Sequence, residues 1–184
     1  MTPGVLLCCA LLLAIRSVPL AHATEDAERL KHRLVAACVC KFPKYVRWPE
    51  REDSKDEPFV IGVLGTSPIT ALLEEATQEL QVGGRDVTLT TFDGTDVSDA
   101  LYDCHVLFVA QKAANNQEAL FEKLAGRSVL TVSLIEDFAK GGGIIEIGER
   151  ENKLQFKINL GAAKANNISI SSQLLKLSTV VSAE

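Results

Sequence analysis

A set of short, unbroken apolar runs constrains this chain more than anything else in it: "FVIGVLG" (59–65), "CHVLFVA" (104–110) and "SVLTVS" (128–133). Runs of this length without polar alternation read as strands covered on both faces, which occur in parallel sheets. Helical patterns lie between them. "ITALLEEATQEL" (69–80) follows Ser67, a capping residue, and Pro68, which suits a first helical position. "NNQEALFEKLAG" (115–126) stops at Gly126, and "LIEDFAKGGG" (134–143) reads as a short helix with a glycine end. "VGG" (82–84) turns the chain into the β-rich "DVTLTTF" (86–92), and "DGTD" (93–96) is a loop. Strands alternating with helices predict a parallel α/β sheet.

Both ends depart from that alternation. "GIIEIG" (143–148) and "KLQFKINL" (153–160) are separated by a hairpin-length loop, so they are expected to pair antiparallel at one edge of the sheet. "GAAKANN" is helix-like; "ISISSQLLKLSTVV" (168–181) reads as an extended piece, a cap at Ser171 or Ser172, and a closing helix bearing Leu174, Leu177 and Val181. Near the start, Leu30, Leu34, Cys38 and Phe42 recur every four residues, with Ala27 and Ala37 beside them, which predicts an amphipathic helix over 26–42. Pro43 then kinks or ends it. The expected fold is α/β: a single three-layer domain with a mostly parallel sheet, an antiparallel edge hairpin, an N-terminal helix and a C-terminal helix.

The first residues point to export. An apolar run from Val5 to Ile15 is followed by Ala21-His22-Ala23, an A-x-A cleavage pattern. Spanning a bilayer takes about 20 apolar residues, so this run is a signal peptide rather than a span. We expect residues 1–23 to be removed and the domain to occupy 24–184, starting at Thr24 and soluble, with no membrane insertion afterwards. Cleavage takes away Arg16 and leaves 18 basic against 24 acidic residues, a formal charge of −6 instead of −5. An acidic chain without a basic run argues against nucleic acid and against docking on anionic lipid.

Export also changes how the cysteines read. Cys38, Cys40 and Cys104 remain, in a compartment where disulfides persist. In a helix, residues two apart point about 200° apart. Cys38 thus shares the Leu30/Leu34/Phe42 face and Cys40 does not. A Cys38–Cys40 redox pair, a bond from Cys104 to Cys40 or Cys38, and plain buried thiols are all open readings. A thiol oxidoreductase would need an accessible Cys40 of lowered pKa. Cys104-His105 makes a poor nucleophilic pair, because adjacent strand residues point to opposite faces. The two histidines left, His32 and His105, have no metal-ligand spacing. Thr66 and Ser67 form a possible ligand turn after the first buried strand. "GGG" (141–143) is a helix stop before it is a phosphate nest. No Walker, dinucleotide or G-x-S-x-G pattern is present. The residues therefore point to no cofactor, no metal and no enzyme.

One resemblance goes further. "KFPKYVRWP" (41–49) looks like the "NFAKYxxWP" signature near the start of YfiR-like periplasmic proteins, with Phe42, Tyr45, Trp48 and Pro49 in place. "IGVLGTSP", "CHVLFVA" with His105, "SVLTVS", "FAKGGGIIEI" and "LQFKINLGAAKANNISISSQLLKLS" follow in that family's order. Asn159, Ser171, Ser172 and Gln173 stand in the closing motif. The resemblance covers about residues 27 to 181. It implies a periplasmic repressor that binds the periplasmic sensor domain of an inner-membrane diguanylate cyclase, lowering cyclic-di-GMP and restraining biofilm formation. It also implies a homodimer and an outer-membrane lipoprotein that sequesters the repressor. The family's redox scheme does not carry over, because "FVIGVLG" and "GIIEIGERENKLQF" hold no cysteine. Pro43 replaces a small residue of the family pattern. The competing reading is a periplasmic small-ligand module with no cyclase partner. Its pocket would lie beyond the carboxyl ends of the parallel strands, near Thr66, Ser67, Ala110 and Gln111.

Overall fold

The computed structural model describes residues 20–49, 57–96, 98–111, 113 and 117–182. Most of the expected signal peptide (1–19) and most of the charged connection after Pro49 (50–56) lie outside the described residues. The chain forms α1 (Leu20–Lys41), a 3-10 turn (Phe42–Tyr45), β1 (Val46–Arg47), β2 (Phe59–Leu64), α2 (Thr70–Thr77), β3 (Gln81–Val82) and β4 (Arg85–Phe92). A 3-10 turn (Asp99–Asp103), β5 (Val106–Val109), α3 (Gln117–Leu124), β6 (Leu130–Ser133), β7 (Ile145–Arg150) and β8 (Lys153–Asn159) follow. The chain closes with α4 (Leu160–Ala165), β9 (Ser169–Ile170), α5 (Ser172–Leu175) and β10 (Ser178–Val181).

The apolar runs of the sequence are the centre of one sheet, ordered β10-β8-β7-β6-β5-β2-β4-β3. The five strands from β4 to β7 are mutually parallel. Alternate side chains of each central strand enter opposite layers. Ile61, Val63, Val106 and Phe108 pack with Val35 and Val39 of α1 and Leu73 of α2. Leu64, Leu107 and Val109 pack with Leu101, Leu120 and Leu124 on the other side. Both sheet faces are covered, which is why these strands lack polar alternation. The three-layer α/β fold read from the sequence is the fold of the structure.

Three local readings change. First, α1 buries Val35, Ala36, Val39 and Cys40, while Leu30 and Leu34 remain 58% and 47% exposed. The helix carries apolar residues around most of its circumference, so periodicity alone allowed two inward faces. Second, 136–142 is a series of turns, not a short helix. Third, the closing helix α5 is a single turn capped by Ser171, whose hydroxyl accepts from the Leu174 N–H. Ser178, Thr179, Val180 and Val181 then form β10, parallel to β8, outside the antiparallel β7–β8 hairpin. Leu174, Leu177 and Val181 fit a helical spacing, but β-branched residues lose rotamer freedom in a helix and favour a pleated sheet. Pro43 acts as expected: α1 ends at Lys41 and the proline opens the 3-10 turn.

Candidate functional site

Two motif segments lying more than a hundred residues apart meet in one place. Val46 pairs with Ile170 and Arg47 with Ser169, as an antiparallel ribbon separate from the main sheet. The Ser171 N–H donates to the Tyr45 carbonyl at 2.8 Å and extends the ladder. Pro43 sets the turn that aims Lys44 and Tyr45 at this ribbon. The Ser171 cap turns the chain so that Ser172 and Gln173 face the same opening. The result is a groove of about 470 Å³ lined by Lys44 to Arg47 and Ser169 to Gln173. Its exposed side chains are Lys44, Arg47, Ser169, Ser172 and Gln173. A basic, hydroxyl-rich groove on an acidic protein suits an acidic, hydrogen-bonding partner surface.

Phe42, Trp48 and His105, also in the family motifs, do not line this groove and pack into the protein instead. Phe42 is buried and meets Phe156 of β8 edge-on, with ring centroids 5.6 Å apart. Trp48 packs edge-on against Phe59 at 5.4 Å and His105 at 6.4 Å. His105 is buried and stacks on Phe59 at 4.4 Å. Its Nδ1 accepts from the Val60 N–H at 3.1 Å, and Arg85 Nη2 lies 3.0 Å from its Nε2. Arg85 also donates to the carbonyls of Glu57 and Pro58. His105 therefore ties the strand ends β2 and β5 to the segment carrying Trp48. Pro49 is exposed at the end of that segment.

Asn159 lies inside the protein, 1% exposed. Its Oδ1 accepts from the Ala162 N–H at 2.9 Å and so caps α4, while its Nδ2 donates to the Ala139 carbonyl at 2.7 Å. The Ala139 N–H in turn donates to Glu146 Oε2 at 3.3 Å, and Lys157 Nζ meets Glu146 Oε1 at 2.7 Å. Asn159 clamps the 136–142 turns to α4 and also lines a cavity of about 300 Å³ with Phe121, Gly142 and Ala162.

Cys38, Cys40 and Cys104 all stand as thiols. The face that Cys38 shares with Leu30 and Leu34 is not the one turned inward: Cys40 is buried, and Cys38 is half-buried and packs against the same core. Cys40 packs in the layer of α1 and Cys104 in the layer of α3, so the sheet separates them. Cys104 and His105 likewise face opposite layers. Burial pushes the Cys40 thiol up to about 11. Burial also raises Cys38, partly offset by the nearby Lys41 charge. Neither supplies the thiolate that thiol exchange requires. In an aromatic-disulfide titration of the chain from Thr24, native protein should react slowly and only at Cys38. Denatured protein should release the thiols of Cys38, Cys40 and Cys104 together. A single reactive thiol after denaturation would demand a disulfide and overturn this arrangement.

The Thr66–Ser67 turn is partly open, with Thr66 exposed. Ser67 accepts from the Ile69 N–H at 3.4 Å, two residues on, and α2 begins only at Thr70. A Cβ at Gly65 would meet Ala110, Ala113 and Gly94 only at ordinary contact distance, but the φ of 85° there favours glycine. Beside Gln111, a cleft of about 290 Å³ opens under α1, flanked by the Lys31–Glu149 ion pair of 2.8 Å. It does not include Thr66 or Ser67. Among the described residues no group of histidine, cysteine and carboxylate side chains is arranged to hold a metal ion. Lys44, Arg47 and Ser169 line the groove without having been singled out in the sequence. Lys44 and Arg47 flank Tyr45 in the quoted motif, and only the β1–β9 pairing shows that they share a surface with Ser169.

Comparison with known proteins agrees with this order of motifs. The model of the family described as DUF4154, YfiR/HmsC-like, matches residues 32–179. No curated protein matches. Among solved structures, a conserved domain protein from Vibrio cholerae O1 biovar El Tor str. N16961 is similar, with a TM-score of 0.56 and 14% identity. The likeness covers 81% of this chain and 59% of that one, and at this identity it shows the fold alone.

Proposed function

The chain belongs to the YfiR/HmsC-like family of non-catalytic periplasmic regulators, and from that premise we propose that it represses an inner-membrane diguanylate cyclase. It binds the cyclase's periplasmic sensor domain as a homodimer, holds the cytoplasmic cyclase off, and so lowers cyclic-di-GMP and biofilm formation. An outer-membrane lipoprotein competes for it. The export pattern of residues 1–23 fits a protein that acts from the periplasmic side. The observation that carries the reading is the convergence of both motif segments on one exposed basic groove. Among the described residues no side-chain hydrogen bond or ion pair engages the charge of Lys44 or Arg47, and both side chains are exposed.

The test is cellular cyclic-di-GMP in a strain lacking the gene. Deletion should raise it, and the full-length protein should restore it. A version lacking residues 1–23 should not. Neither should the double variant Lys44→Glu, Arg47→Glu, because reversing both charges should weaken partner binding at least about tenfold, or ~1.4 kcal/mol. Both side chains are exposed, so the variant should keep the wild-type melting temperature. Unchanged cyclic-di-GMP on deletion, with the protein expressed, would discard the cyclase and bring forward the small-ligand module. Full repression by the double variant would move the contact away from the groove.

A further inference from the structure

Leu160, Leu177 and Val180 are large apolar side chains left exposed at one end of the sheet, Leu177 by 72% and Val180 by 50%. They border β10, the outermost strand, with Leu177 just before it and Leu160 just past the Asn159–Val181 pair. Among the described residues no strand pairs with the outer side of β10. Exposed edges present a row of unpaired backbone donors and acceptors, and soluble proteins usually blunt them with charge, proline, a bulge or extreme shortness. The opposite edge is blunted in this way: β3 has two residues, Gln81 and Val82, closed on β4 by Gly83 and Gly84, whose φ of 62° and 81° make the tight turn. From Leu177 to Ser182 there is no charge, proline or glycine, and Ser-Thr-Val-Val favours a strand.

We propose that β10 is the dimer interface: the β10 of a second copy pairs with it antiparallel and joins the two sheets across a two-fold axis. The proposal rests on the homodimer reading above and assigns its surface. An isologous contact must be self-complementary, and this edge meets that condition. Two copies facing each other set no charge against a like charge. Each copy's Leu177 and Val180 lie along the same open row of backbone groups that the other copy needs covered. With the axis perpendicular to the sheet, one residue near the centre of the strand, Thr179 or Val180, faces its own copy. A four-residue ladder is short beside the roughly 800 Å² per partner of a stable interface. The dimer is therefore concentration-dependent rather than obligate.

Sedimentation velocity over a wide concentration range tests this on protein purified from the periplasm. The wild type should pass from monomer to dimer as concentration rises. Leu177→Lys and Val180→Lys should stay monomeric at every concentration with an unchanged melting temperature. Should either variant fail to fold, cysteine pairing decides: in a Cys38→Ser background, Thr179→Cys or Val180→Cys should cross-link to a covalent dimer on mild oxidation. Folded lysine variants that dimerise like the wild type, or no cross-link from either cysteine, would overturn the β10 interface and leave the homodimer standing. A wild type that is monomeric throughout would overturn the homodimer itself.

Discussion

Gly143→Ala is expected to destabilise the domain by about 3 kcal/mol, at the upper end of ordinary overpacking. The added methyl group would run into the ring of Phe138, which is fully buried. That ring has little room to retreat: it meets Phe121 edge-on at 5.3 Å and lies among Leu107, Leu120 and Leu124 in the α3 layer. Gly143 also donates its N–H to the Phe138 carbonyl at 2.9 Å, which fixes the close approach. The cost is steric. Where a glycine conformation suits alanine and space is open, the same change stabilises by about 0.4–1 kcal/mol. Gly148→Ala, with nothing within 4 Å of the new methyl, is the matched control and should be neutral or slightly stabilising. For a domain of this size, about 3 kcal/mol lowers the melting temperature by roughly 6–12 °C. Equal melting temperatures for the two alanine variants would show that Phe138 yields and the contact is not binding.

Asn159→Ala should cost about 2–4 kcal/mol, combining a lost cap with a buried carbonyl left without its donor. The side chain serves the Ala162 N–H and the Ala139 carbonyl at once, and it is 1% exposed, so water cannot replace either bond cheaply. Asn159→Asp separates the two roles. The carboxylate keeps the acceptor for α4 but sets a negative oxygen against the Ala139 carbonyl. Protonation gives it an O–H that can donate there. The Asp variant should therefore approach wild-type stability as pH falls through the carboxylate range and lose it as pH rises. Chemical denaturation at several pH values measures this. A pH-independent gap between Asn159→Asp and wild type would show that the Ala139 bond carries no weight.

These positions show how unevenly sequence reading works on this chain. Gly143 belongs to a triplet read as a helix stop, yet no helix precedes it. The triplet instead lets the chain pass under two phenylalanine rings, which only packing reveals. Asn159 stands out by its motif, but a motif does not distinguish a buried clamp from a contact surface. His105 is similar: the strand parity that ruled out a Cys104-His105 nucleophile also placed the ring against Phe59, while its partner Arg85 came from a different strand. The groove was half legible. Tyr45, Ser171, Ser172 and Gln173 were marked, and the cations beside them were not.

The sequence by itself determined the α/β class, the parallel centre of the sheet, the β7–β8 hairpin and the end of the first helix at Pro43. Each follows from a local rule: continuous apolar runs, a hairpin-length loop, and a ring that cannot donate a hydrogen bond. Only the tertiary structure decided which face of α1 turns inward, and with it that Cys40 is buried and Cys38 half-exposed. Tertiary structure alone also made 178–181 a strand instead of the end of a helix, and brought residues 44–47 against 169–173. The physical reason is the same in each case. Helix and strand propensities differ by about 1 kcal/mol or less per residue. A vacant sheet edge at β8, or a facing layer of valines, outweighs that difference, and neither is visible along the chain.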